Sequence, residues 1–284
     1  MADALEPLRL RYLSWLGRTE DEIVADREEA AEEIRAMQLV LRLERGTDPS
    51  WHTAVRLAAT AAARLCLDPR AEPGGPWHDA IAAYCAGHIR KVTRRARGAH
   101  WSALADLPGI TLTERDTEVI ALLPGRIAEL DKRVSRLQVG GTDAPVDAPP
   151  AEDAAGGSGV LRLWLPPEPV MTLGKTMAQA GHAGMIAAAL LAADDGSALA
   201  EWAVAGCPTT AHRVDGGAWR MLHQRIADPA QAWQGERLLA VRDAGFTEID
   251  PGTVTVIARA PAAVPGAGER EISFPGARDP GSAE

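Results

Sequence analysis

The chain has 284 residues, 46% of them hydrophobic, which exceeds the usual size of one domain and can fill two cores. Its formal charge of −9 speaks against coating nucleic acid by bulk electrostatics and leaves room only for a local basic patch. The three cysteines, Cys66, Cys85 and Cys207, show no Cys-x-x-Cys spacing, so neither a disulfide framework nor a zinc site is expected, and a reducing, cytoplasmic setting follows.

In chain order, residues 1–35 contain "EDEIVADREEAAEEIR", whose acidic and basic residues can pair at helical spacing, so a charged, solvated leader helix is expected. No basic stretch followed by an apolar core stands at the N-terminus, and no apolar run approaches the length of a membrane span, which predicts no membrane contact. Residues 36–139 begin with the strand "LVLRLE" and the helix "WHTAVRLAATAAARLCL". A second helix from Trp77, the strand-like "HIRKVTRRARG", the short helix "WSALADL" and the strand "EVIALLPG" follow. Residues 140–159, rich in Gly, Pro, Ala and Asp, read as a flexible linker.

Residues 160–261 repeat the order: "VLRLWL", a helix from Lys175, "ALAEWAVAG", "TTAHRVDGGAW", a helix around "MLHQRI", "RLLAVRDAG" and "TVTVIARAP". Residues 262–284 have the composition of a disordered tail. Both halves place a small-residue pair before a tryptophan at matching points, "GAHW" at Trp101 and "GGAW" at Trp219. The expectation is a diverged internal duplication, each copy an α/β layer of strands and helices. Two unrelated α/β domains are the alternative.

The polar groups suited to chemistry are not shared by the copies. In "MTLGKTMAQAGHAG", Gly174 can take a positive φ and start a helix tightly, leaving free N–H groups that favour an anion, with Lys175 adding a full charge there. A lysine at a helix N-terminus opposes the dipole; spacing alone does not separate an anion site from a solvated side chain. In "VRDAGFTEIDPGTVTVIAR", Asp243 stands where a strand ends in a tight turn, with Thr247 four residues on. Both residue types also serve turns by binding backbone groups. Alternation places Thr253, Thr255 and Ile257 on one strand face. His182 has no second histidine at metal-binding spacing, and neither a P-loop nor a Gly-x-Ser-x-Gly elbow is present, so no metal and no cofactor is expected.

Taken together, "GKTMAQAGHA" and "VRDAGFTEIDPGTVTVIARAP" resemble the second, archaeal and eukaryotic, type of peptidyl-tRNA hydrolase, over about residues 160–261. The resemblance implies a four-stranded mixed sheet flanked by helices and a metal-independent enzyme that hydrolyses the ester joining a peptide to tRNA. By motif position it implies that Lys175, Asp243 and Thr247 are catalytic, and that Gly174, Gln179, His182 and Thr255 bind or support substrate. Two departures stand out: Leu173 and Phe246 occupy places where the family often has a basic residue. Arg94, Arg95 and Arg97, within the run "HIRKVTRRARGAH", are the candidate tRNA contacts of the first half, a solvated strand being the plainer reading. Because the family resemblance implies a homodimer, the expected fold is two related mixed four-stranded sheets with flanking helices, arranged as an intramolecular pseudo-dimer. Such a chain would be a monomer with one active site, peptidyl-tRNA as substrate and no obligate protein partner. A tRNA- or ribosome-binding protein that keeps the fold without turnover is the alternative; a hydrolase for another acylated anion is a third.

Overall fold

The computed structural model describes residues 3–26, 29–46, 48–149, 157–245 and 249–262. The first sheet is built on β1 (Arg35–Arg42), whose residues Ala36 to Leu41 are all buried. β1 pairs in parallel with β2 (Arg90–Ala96) and antiparallel with β4 (Thr117–Leu122), which in turn pairs with β3 (Gly109–Glu114). The short β5 (Gly125–Arg126) adds to the end of β1. A parallel neighbour requires a crossover, and α3 (Trp51–Leu67) and α4 (His78–Cys85) supply it.

The second sheet follows the same plan. β6 (Leu161–Leu165) pairs in parallel with β7 (Thr209–Arg213) and antiparallel with β9 (Val254–Arg259), and β9 pairs antiparallel with β8 (Leu238–Arg242). The crossover is α7 (Leu173–Asp194) with α8 (Gly196–Val204). Strand order is β2-β1-β4-β3 in one sheet and β7-β6-β9-β8 in the other. The short helices α5 (Gly98–Ser102) and α9 (Gly216–Arg225), which carry the "GAHW" and "GGAW" tryptophans, follow β2 and β7 respectively.

One face of each sheet packs on α3 and α7, and these two helices pack on each other, so a single apolar core runs from Met37 and Leu39 through Ala58 and Ala187 to Val256 and Ala258. Alanine-rich faces permit the approach: a Cβ at Gly184 would stand 2.4 Å from the Ala59 carbonyl oxygen. The packing is reciprocal, since α7 also lies against β2 and α3 against β7. The outer faces carry smaller cores, one around Val40, Ile120 and α6 (Lys132–Ser135), the other around Trp164, Leu222 and α10 (Pro229–Glu236).

Several expectations are corrected. The leader is not one solvated helix but two, α1 (Glu6–Leu16) and α2 (Glu20–Ala25), and it is anchored because Leu5, Leu8 and Ile23 are buried. The Tyr12 hydroxyl accepts a hydrogen bond from Ala240 N at 3.1 Å, which serves the otherwise open edge of β8. Residues 140–149 of the expected linker run along the protein as a strap that buries Thr142 and pairs Asp147 with His52. Residues 150–156 and the tail beyond Ala262 lie outside the described residues. α7 is, by length and composition, apolar enough to cross a membrane, but 83% of its apolar window is buried, which makes it the core helix of the fold.

Candidate active site

A cleft of about 590 Å³ opens between the halves, walled by α1, β2, the start of the strap, the first turns of α7 and the end of β8. Thr172 caps α7: its Oγ1 accepts from Lys175 N at 3.2 Å, and its carbonyl accepts from Thr176 N at 2.9 Å. Gly174 N donates to Thr142 O at 3.0 Å. The N–H groups of Gly174, Lys175 and Thr176 are therefore engaged. Gly174 also does not take a positive φ, being an ordinary residue of the first helical turn. Its lack of a side chain serves proximity instead, because a Cβ there would lie 3.2 Å from the Thr142 Cβ. From β2, Thr93 Oγ1 donates to Gly174 O at 2.7 Å, so both the strap and the first half position the start of α7.

The turn after β8 brings Asp243 to this helix. Asp243 N donates to Thr253 O at 2.8 Å and Gly252 N donates to Asp243 O at 2.7 Å, which closes the loop neck. Gly245, at φ +72°, donates its N–H to Asp243 Oδ1 at 2.7 Å; a Cβ there would also strike Pro251. Asp243 is 4% exposed, and its Oδ2 accepts from both Lys175 Nζ and Gln179 Nε2, the latter at 2.7 Å. The Lys175 side chain is 14% exposed and borders the cleft.

Gln179 is oriented from behind, since Thr255 Oγ1 donates to Gln179 Oε1 at 2.9 Å. The expected sharing of one strand face by Thr253, Thr255 and Ile257 does not hold. Val241 pairs with Val256 while Arg242 pairs with Val254, so Thr255 is the extra residue of a bulge. The bulge turns Thr255 toward α7, whereas Ile257 packs in the outer core and Thr253 precedes the strand.

His182, two turns beyond Lys175, also borders the cleft. Burial, with Lys91 and Lys175 on either side, holds its imidazole well below its ordinary range, so it is neutral at physiological pH. Arg94 and Arg95 do not line the cleft: Arg94 donates to Gln38 and to Leu137 O at 2.7 and 2.8 Å, and Arg95 donates to Gln138. Arg97 is exposed, just before α5. Thr247 and Phe246 lie outside the described residues, and Leu173 is fully buried. Among the described residues no group of three His, Cys, Asp or Glu side chains converges as a metal site.

The sequence reading missed two contributors from outside the second half, Thr93 and Lys91, both on β2. Both stand two residues apart on β2 and so share one strand face, which was the available signal.

With Lys175 and Gln179 of the first motif bound to Asp243 of the second, the two motifs form one constellation. The family model for peptidyl-tRNA hydrolase PTH2 matches residues 161–266. The match supports the second-type peptidyl-tRNA hydrolase family for that part of the chain. No curated protein and no solved structure matches the chain significantly.

Proposed function

We propose that the chain hydrolyses the ester between peptide and tRNA in peptidyl-tRNA, releasing free tRNA. The observation that carries this reading is the Lys175–Asp243–Gln179 cluster, intact and open to a cleft within the matched region. Lys175 stabilises the oxyanion that forms on the ester carbonyl, where a fixed positive charge favours the transition state over the ground state. Asp243 orients the attacking water and takes its proton, which passes to the departing ribose oxygen. Gln179, held by Thr255, fixes the carboxylate that does this. Thr247 is assigned to the same water by its place in the motif. The first half serves as a diverged, non-catalytic copy in the place of a second subunit, so that the chain works as a monomeric pseudo-dimer. The matching strand orders and the reciprocal packing of α3 and α7 support that reading.

The test is a turnover assay with peptidyl-tRNA. Peptide release that persists in EDTA and is lost in Asp243→Asn is the expected result; no release by the wild-type chain would overturn the proposal.

A further inference from the structure

Besides Lys175, the cleft wall carries Arg11, Arg90, Arg242 and Lys91, and Lys91 comes from the half without the proposed site. Lys91, on β2, projects across the boundary between the halves onto α7. Its Nζ lies 3.5 Å from His182 Nδ1, 3.1 Å from Met185 Sδ, 3.3 Å from the Tyr84 hydroxyl and 3.4 Å from Ile89 O. These contacts are long or soft, and among the described residues no carboxylate pairs with it. α7 is shaped around this side chain. A Cβ at Gly181 would stand 2.9 Å from Lys91 Cδ and 3.0 Å from Cε, so the bare glycine is the groove through which the lysine reaches the cleft.

A lysine placed this way costs stability. Burial pushes it down to about 7 from its ordinary value. Packing alone would be better served by an apolar side chain of the same length, so a ligand group is the natural recipient of its hydrogen bonds. The surrounding walls, among them Leu8, Tyr12, Trp15 and Ile186, suit an amino-acid side chain. A carbonyl of a neutral amide fits the ammonium; a second ammonium does not.

We infer that Lys91 is a specificity-determining residue, donating a hydrogen bond to the peptide carbonyl on the α-nitrogen of the ester-linked amino acid and opposing an ester whose α-amine is free and protonated. The inference rests on the peptidyl-tRNA hydrolase reading. It assigns the cleft between the halves to the last residue of the peptide. Discrimination then comes from an attraction to one substrate and a repulsion of the other, exerted by one group.

The test compares N-acetyl-phenylalanyl-tRNA, phenylalanyl-tRNA and phenyllactyl-tRNA, each rate corrected for spontaneous hydrolysis. The wild-type chain should prefer the acetylated ester, and Lys91→Met should shrink the kcat/KM ratio of acetylated to free-amine ester by about tenfold or more. The acetylated ester should lose mainly through KM, and Lys91→Arg should restore much of the ratio. An unchanged ratio in folded Lys91→Met overturns the inference. Phenyllactyl-tRNA needs no variant: lacking the amine, it should be cleaved faster than phenylalanyl-tRNA by the wild-type chain, and equal rates overturn the inference as well. Absence of turnover on all three esters instead removes the hydrolase reading and Lys91's role with it, a result distinct from turnover without discrimination.

Discussion

The two halves thread four strands in the same order, and the proposed site lies at the second. One difference lies in a connection. In the first half Arg115 and Asp116 alone join β3 to β4, with Glu114 paired directly to Thr117. In the second, the chain leaves β8 at Asp243 and enters β9 after Thr253, and that longer loop swings a buried carboxylate onto the start of α7. The other difference lies in the helices. Counting back nine residues from the Ala59–Gly184 crossing reaches Ser50 on one side and Lys175 on the other; counting back five reaches Ala54 and Gln179.

The first half's own corner is a smaller cavity of about 370 Å³. There Asp147 of the strap meets His52 Nδ1 at 2.8 Å. One strap therefore touches both helix starts, positioning Gly174 at one and occupying the corner beside His52 at the other. The lesson is that this fold provides a place for chemistry, while the loop length and two helix positions decide whether chemistry is put there.

The comparison breaks most sharply at the carboxylates. Asp243→Asn and Lys175→Ala should each lower the maximal rate by about two orders of magnitude or more, the scale of an acid-base or electrostatic group. Asp116→Asn, in the exposed turn of the first half, should leave it unchanged. Comparable losses in a single-turnover assay at both turns would mean that the halves do not divide the work as proposed.

A second effect concerns the crossing that joins them. Gly184→Ala places a Cβ 2.4 Å from a backbone oxygen, which a rotamer change cannot relieve. Overpacking of this kind typically costs about 1–3 kcal/mol, readable as a lower midpoint in urea. A neutral result would mean that the helices separate freely there.

These residues also mark how far the sequence could be read. α3 was legible to its ends because its apolar spacing is helical and Ser50 caps it. The shared element order was legible as well. β3 escaped notice since its sequence, Gly109–Glu114, alternates buried Ile110 with exposed threonines at the sheet edge, too weak a pattern for a core strand. α10 went unread despite a strong start signal, Asp228 before Pro229. The lysine and aspartate of the site were found through the joint motifs, but the Thr255 bulge was not, because strict alternation is the rule a bulge breaks. Lys91 looked like one more charge in a basic run, and only packing between halves sets it against His182.

Lys91 gives the third effect, and its sign follows from the direction of its shift. With the folded-state value lowered to about 7, the unfolded chain takes up a proton between its ordinary value and 7 that the folded chain does not. The penalty is absent above about 10.4, grows as pH falls and is complete below about 7. Lys91→Met should therefore raise the melting temperature by about a few degrees at pH 7 and by less at pH 9. A gain that is the same at both would mean that the lysine is solvated and carries no such penalty.

The smallest effect compares two hydroxyls that stitch the halves together. Thr60 Oγ1 on α3 donates to Cys207 O at 3.0 Å, just before β7, and Thr93 Oγ1 on β2 donates to Gly174 O at 2.7 Å. Both bonds are buried and cross between the halves, so replacing either threonine by valine should cost about 1 kcal/mol. Their consequences for turnover differ. Cys207 O also accepts from Thr209 Oγ1 at 3.1 Å and lies at the far end of the fold from Lys175, so Thr60→Val should change stability alone. Gly174 precedes Lys175 in the first turn of α7, and loosening it lets the ammonium drift from Asp243. Misplacement of a charged group is felt more in the transition state than in substrate binding, so Thr93→Val should lower kcat several-fold with KM nearly constant. Equal kcat in the two variants, at matched loss of stability, would show that the first half holds the second together without aligning its site.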